Sequence, residues 1–130
     1  MKTRIINSSG SSITEIGFGC AGAGNLFRPV SYENICGAVR KASELGIQYF
    51  DTAPHYGAGL SERRLGLALG ETPHQDIFLS TKVGRLLYPD CKVDQKEADG
   101  FVGASPFDRE YNYTYDGVMR SFEDSLQRLG

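Results

Sequence analysis

The sequence predicts an α/β fold built on a parallel sheet, and three observations predict it. Short apolar runs at residues 17–20, 47–50 and 77–83 alternate with amphipathic helical patterns. Two of those patterns open at Ser31, a residue suited to cap a helix, and at Ser61 with Glu62. The patterns end at Gly46, Gly70 and Gly130, where glycine commonly stops a helix. Strand and helix in alternation require crossover connections, hence parallel strands. At 130 residues the chain is one domain at most.

Residues 4–7 and 13–16 read as a hairpin joined through Ser8-Ser9-Gly10-Ser11-Ser12. The second run leads into residues 17–20, a strand end, and then a loop over 21–30. Ser31 caps the first helix, with Glu33 at the positive end of its dipole. Ile35, Ala38, Val39, Ala42 and Leu45 form its apolar face. Asp51 closes the next strand, and residues 52–60 form a loop. Ser61 and Glu62 open a helix carrying Leu65, Ala68 and Leu69. The third strand follows, and Asp116 caps a last helix with Val118, Met119, Phe122, Leu126 and Leu129 on one face.

Residues 84–115 lack clear periodicity, and loops of that length are usually functional or disordered. Tyr88, Phe101, Phe107, Tyr111, Tyr113 and Tyr115 argue against complete disorder. Two readings fit: a flap packing its own aromatics, expected for most of them, or a wall for a polar ring substrate.

Composition narrows the function. Apolar content of 40% and charged content of 23% belong to a globular chain, and a net charge of −2 gives no reason to expect nucleic acid or an anionic membrane as partner. No apolar run has signal-peptide or membrane-spanning length. Cys20, Cys36 and Cys91 lack metal spacing or a CxxC pair and read as reduced thiols of a cytoplasmic protein.

GFGCAG at residues 17–22 fits the G-x-G-x-x-G fingerprint of dinucleotide-binding folds. In such a unit the last glycine lies in the first helical turn, and an acid follows after about 20 residues. Here the helix opens only at Ser31, past Pro29, and Asp51 lies too far on. The match is false. The glycines serve a tight strand exit or a close backbone approach.

The chemistry lies in YFDTAPHYG, residues 49–57, and STKVG, residues 80–84. Asp51 and Lys82 fall near the C-terminal ends of neighbouring strands, with Tyr56 in the loop between. Parallel α/β folds place their sites on that rim. A free phenol titrates near about 10, and lowering that by about three units takes roughly 4 kcal/mol. A lysine cation about 4 Å away supplies roughly that much at an effective dielectric of about 20. Asp51 would orient Lys82, and Tyr56 would exchange a proton with a carbonyl or hydroxyl oxygen. With no metal-ligand cluster there, a nicotinamide is the expected hydride partner. The same spacing also fits a loop-capping aspartate, a packed tyrosine and a surface lysine.

The runs GFGCAGAGNLFR, GIQYFDTAPHYGAGLSERRLGLAL, LSTKVGRLL and DGVMRSFEDSLQRLG resemble the aldo-keto reductase superfamily over nearly the whole chain. Within it they resemble the aldose 1-dehydrogenase branch, with L-fucose dehydrogenase-like and pyridoxal 4-dehydrogenase-like enzymes. D-T-A-x-x-Y-G and S-T-K are the specific motifs. The resemblance implies the N-terminal part of a TIM (β/α)8 barrel, a hairpin plug plus about three βα units. It makes residues 1–130 the N-terminal part of an aldo-keto reductase-like NAD(P)-dependent oxidoreductase domain, using NADP or NAD and no metal.

Carried over by motif, Asp51, Tyr56 and Lys82 match three of the family's four catalytic residues. Gly19, Cys20 and Ala21 match the strand whose backbone lies beside the nicotinamide, with Asp51 near its ribose. The fourth, a histidine ending the fourth strand, has no counterpart in these three βα units. His55, beside Tyr56, is expected to support the loop or edge the substrate rather than replace it. His74, in a turn, is expected to be solvated.

A barrel of this type needs about 250 residues and eight strands. The chain is therefore expected to be an incomplete barrel, marginal or aggregation-prone until self-association or the missing C-terminal segment covers its open edges. Its parent would act on an aldose or another small carbonyl or alcohol. The alternative is a non-catalytic half-barrel that needs another chain.

Overall fold

The computed structural model describes residues 1–8, 10–72, 77–90 and 99–130; His74 and Cys91 lie outside the described residues. Strands β1 (Thr3–Ile5) and β2 (Ser12–Thr14) pair as the expected antiparallel hairpin. Buried Thr14 ties that hairpin to the sheet, its Oγ1 accepting from the backbone N–H of Gln48 at 3.3 Å.

The next three strands, β3 (Gly17–Gly19), β4 (Tyr49–Asp51) and β5 (Phe78–Ser80), form a parallel sheet in that order. Its register aligns Gly17, Tyr49 and Phe78 in one row and Gly19, Asp51 and Ser80 in another. Because side chains alternate across a strand, both rows share one face, and Phe18, Phe50 and Leu79 take the other. Gly17 is forced by packing: a Cβ there would meet the Tyr49 ring at 2.6 Å. Fully buried Phe50 packs in the main core with Val39 and Leu65.

Helix α1 (Tyr32–Glu44) starts as expected, with Ser31 Oγ accepting from Asn34 N–H at 3.2 Å. Ile35, Val39 and Ala42 are buried, whereas Leu45 is 60% exposed beyond the last turn. The fingerprint glycines lead only into a 3-10 turn (Ala21–Gly24) ahead of α1.

Two caps differ from expectation. Helix α2 (Leu60–Gly70) starts behind Gly59, and Ser61 faces inward, bonding Cys20 O at 2.7 Å and Thr52 Oγ1 at 2.8 Å. Helix α3 (Tyr115–Leu129) is capped by Thr114, whose Oγ1 accepts from Gly117 N–H at 3.1 Å, with Asp116 inside the first turn. Gly59 starts α2 from a left-handed backbone with no side-chain cap, whereas Thr114 caps α3 through its hydroxyl.

The segment read as aperiodic contains a second hairpin, β6 (Arg85–Pro89) with β7 (Phe107–Tyr111). Behind it, Ala58, Leu87, Phe101 and Ala104 make a small second core that Tyr56 and Phe107 border. Helix α3 turns Gly117, Ser121 and Ser125 inward, leaving Met119, Phe122 and Leu126 39%, 43% and 52% exposed. Of the expected apolar stripe, Leu129 packs against the main core, whereas Met119, Phe122 and Leu126 face outward.

The described strands form no closed barrel. In the three-stranded parallel sheet, the outer edges of β3 and β5 pair with no other described strand.

Candidate active site

Asp51 is the last residue of β4, and Lys82 lies just past the end of β5, so the parallel register brings them to one rim. Lys82 Nζ donates to Asp51 Oδ2 at 2.8 Å and to the Thr52 carbonyl at 2.8 Å. Asp51 Oδ1 accepts from Ser80 Oγ at 2.7 Å, and Ser80 Oγ lies 3.0 Å from the Tyr49 hydroxyl. Both carboxylate oxygens are thus fixed.

Tyr56 reaches the same place by a different route. The turn over residues 53–59 is closed by Gly59 N–H on Pro54 O at 2.7 Å and Tyr56 N–H on Ala53 O at 3.1 Å. It packs directly on the 3-10 turn: a Cβ on Gly24 would sit 2.6 Å from the Tyr56 carbonyl carbon, and one on Gly57 2.5 Å from Gly24 O. Gly57 also holds φ at 65°. Glycine at both positions permits the contact, and no other residue type avoids the overlap. The Tyr56 ring stacks on Phe101 with centroids 5.9 Å apart.

Lys82 Nζ stands 4.9 Å from the centroid of that ring. Burial works against the ammonium, but the hydrogen-bonded Asp51 carboxylate, with the nearby Tyr56 phenol, outweighs it and raises its pKa. The lysine therefore stays charged beside the phenol. Asp51, Lys82 and the Tyr56 ring thus meet at one rim.

The strand-one segment is partly committed elsewhere. Cys20 N–H donates to Asp51 O at 2.8 Å and Cys20 O accepts from Ser61 Oγ. Its thiol is 1% exposed and pushed up to about 12 by burial, then by the Asp51 charge. Gly19 and Ala21 flank it at the surface of the rim.

His55 lines the cleft next to Tyr56. Its ring meets Phe101 edge-on at 5.3 Å, and its Nδ1 lies within hydrogen-bond reach of both Arg85 and Arg109, the latter at 3.1 Å. Burial first, then the two guanidinium charges, lower its pKa. Guanidinium groups only donate, so Nδ1 accepts and the proton sits on Nε2, which faces Asp99 at 3.7 Å. His55 is a neutral ring held at the edge of the cleft.

That cleft, about 330 Å³, is lined by Ala53, Pro54, His55, Tyr56 and Lys82 together with Val83, Arg85, Tyr111 and Tyr113. Two aromatics of the long segment are thus packed as a flap would pack them, Phe101 and Phe107, and two border the cleft, Tyr111 and Tyr113.

Sequence reasoning missed several supports. Asn25, with φ at 68°, donates to Val102 O at 3.0 Å and accepts from Val30 N–H and Arg64, pinning three segments together. Glu62 is wholly buried, bonded to Thr81 Oγ1 at 2.7 Å and to Arg128 Nε at 2.6 Å. Arg85 and Arg109 lie in strands whose polar and aromatic residues hide the apolar pattern of a strand. The alternation Phe107-Asp108-Arg109-Glu110-Tyr111 was the available signal.

The chain matches the Aldo/keto reductase family over residues 15–130. It is 40% identical to D-threo-aldose 1-dehydrogenase of a Pseudomonas species, over 95% of this chain and 38% of that protein. It is 38% identical to pyridoxal 4-dehydrogenase of Microbacterium luteolum, over 98% of this chain and 39% of that one. Among solved structures, it superimposes on the holo form of an aldo-keto reductase from Bacillus halodurans with a TM-score of 0.70 and 31% identity, over 99% of this chain and 36% of the other. A glycerol dehydrogenase from Gluconobacter oxydans gives 0.70 at 25% identity, over 98% of this chain and 35% of the other. The chain spans about two fifths of the length of these curated relatives. Its hairpin, parallel strands and helices are the N-terminal part of their TIM barrel, and the chain belongs to the aldo/keto reductase family.

Proposed function

We propose that residues 1–130 are the N-terminal part of an NAD(P)-dependent oxidoreductase domain, in which Tyr56 exchanges the proton with a small carbonyl, aldose or alcohol substrate. One observation carries this reading: a charged Lys82, fixed by Asp51, lies against Tyr56 at the rim of a parallel sheet.

The chain's residues do the following. Asp51 accepts a hydrogen bond from Lys82 Nζ and orients the ammonium. The ammonium attracts the negative charge that builds on the phenol oxygen as its proton leaves. Tyr56 then gives a proton to a carbonyl oxygen, or takes one from a hydroxyl in the reverse direction. Proton transfer of this kind contributes typically 10²–10⁴-fold to rate.

Gly19 is the observation that fits a nicotinamide. It stands in the same row as Asp51, and a Cβ added there would meet nothing within 4 Å, so the backbone is open to a flat ring. Gly19, Cys20 and Ala21 would form that floor, and Asp51 would neighbour the ribose. Bound there, the nicotinamide would supply or accept the hydride. The choice of NADP or NAD is not set by any of these residues.

A second reading is favoured by the exposed Met119, Phe122 and Leu126 on α3: a non-catalytic half-barrel that another chain or segment must cover. The experiment that separates the two is Tyr56→Phe in the protein extended to barrel length, followed by NAD(P)H oxidation and cofactor titration. Hydride transfer is expected to be abolished with cofactor affinity nearly intact. Retained turnover removes Tyr56 from its role.

A further inference from the structure

The cleft carries a second cation that the proton-transfer centre does not use. In the β6–β7 register, Arg85 pairs with Tyr111 and Leu87 with Arg109. Alternation places Arg85, Arg109 and Tyr111 on one face and turns Asp108 and Glu110, the acids of β7, to the opposite face. The hairpin therefore presents two guanidinium groups toward His55 with no carboxylate of its own beside them.

Their partners differ. Arg109 is paired with Asp99 at 2.9 Å, as Lys82 is with Asp51 at 2.8 Å. Arg85 has no carboxylate partner among the described residues. Its contacts are neutral: His55 Nδ1, the Tyr111 hydroxyl, and the Tyr111 ring lying 4.4 Å beneath the guanidinium. His55 is uncharged in this setting and contributes no compensation. One cation without a carboxylate partner among the described residues, held in place by stacking, therefore lines the same cleft as Tyr56 and Lys82.

We propose that Arg85 recognises an anionic substituent, carboxylate or phosphate, on a substrate whose reacting carbon sits at Tyr56. The guanidinium fork matches both anions in two-point geometry, and a charge-assisted bond is about twice as strong as a neutral one. The substrate class is then a sugar acid or a phosphorylated sugar or aldehyde rather than a neutral polyol. The inference rests on the oxidoreductase reading for the reacting end, but the preference is a property of binding and needs no turnover.

The test is equilibrium binding by the 130-residue chain, followed by NMR, of D-glucuronate, D-glucose 6-phosphate and D-glucose. At least one charged sugar is expected to bind about tenfold more tightly than glucose, and raising the salt should shrink the difference. Which charged sugar wins separates carboxylate from phosphate. Arg85→Gln should erase the preference, and Arg85→Lys should retain part of it. Equal affinity for all three sugars, no saturable binding, or a preference that survives Arg85→Gln overturns the proposal. If circular dichroism shows Arg85→Gln unfolded, the salt dependence and Arg85→Lys decide it by the same criteria. Arg85 can fail this test while Tyr56→Phe still abolishes hydride transfer, and the reverse, so the two readings fall separately.

Discussion

Arg128, in the last turn of α3, places its Nε 2.6 Å from a carboxylate oxygen of Glu62 on α2, and Glu62 has no exposed surface. The other oxygen of Glu62 accepts from Thr81, the residue before Lys82. One buried carboxylate thus links two helices to the segment that carries the ammonium of the rim.

Removing one member of that pair leaves an uncompensated buried charge. Arg128→Ala is expected to cost about 3–5 kcal/mol in urea denaturation. The double replacement Glu62→Gln, Arg128→Met should recover much of that loss, because neither partner is then charged. A single variant costing under about 1 kcal/mol would mean that water reaches Glu62.

The Gly24–Gly57 contact sets where Tyr56 stands. Gly24→Ala drives a methyl into the Tyr56 carbonyl and should cost about 1–3 kcal/mol. Gly22 lies in the same turn, but a Cβ there meets nothing within 4 Å. Gly22→Ala is the matched control and should be neutral to mildly stabilising. Equal thermal shifts for the two variants would refute the close approach.

Acid should loosen the hairpin clamp on His55. Its pKa is held below the ordinary 6.5, chiefly by burial and then by Arg85 and Arg109. Below pH 6.5 the unfolded chain therefore takes up this proton more readily than the folded one. The contribution is full above that pH and is lost as the pH falls through the lower folded value. His55→Gln should flatten the slope of stability against pH in that acidic window. A slope unchanged by the substitution assigns it to other groups.

The outward stripe of α3 predicts self-association. Phe122→Lys with Leu126→Lys should lower the sedimentation coefficient distribution toward monomer while changing stability by about 0.5 kcal/mol or less, as exposed positions usually do. Unchanged association would mean that other surfaces, such as the open sheet, hold the copies together.

How far the sequence could be read differs by element. Ser31 and Ile35, Val39 and Ala42 gave α1 its start and buried face because cap chemistry and a 3.6-residue period are local. Asp51, Tyr56 and Lys82 were legible because each sits beside a strand end or in the turn after one. Ser61 and Glu62 do stand in the first turn of α2, but their burial and their bonds to Cys20, Thr52, Thr81 and Arg128 could not be read from the local pattern. The β6–β7 hairpin was hidden because arginine and tyrosine occupy positions where apolar residues would have marked a strand.

The sequence by itself determined the alternation of strands and helices, the parallel sheet and the three residues of the rim, since period and motif depend only on neighbours along the chain. Only the tertiary structure decided that α3 turns its small residues inward, that Glu62 is buried against Arg128, and that Arg85 lines the cleft with no carboxylate partner among the described residues. Those outcomes depend on which distant segments come into contact, and the free energy of burying a charge or an apolar face is fixed by that contact and not by local pattern.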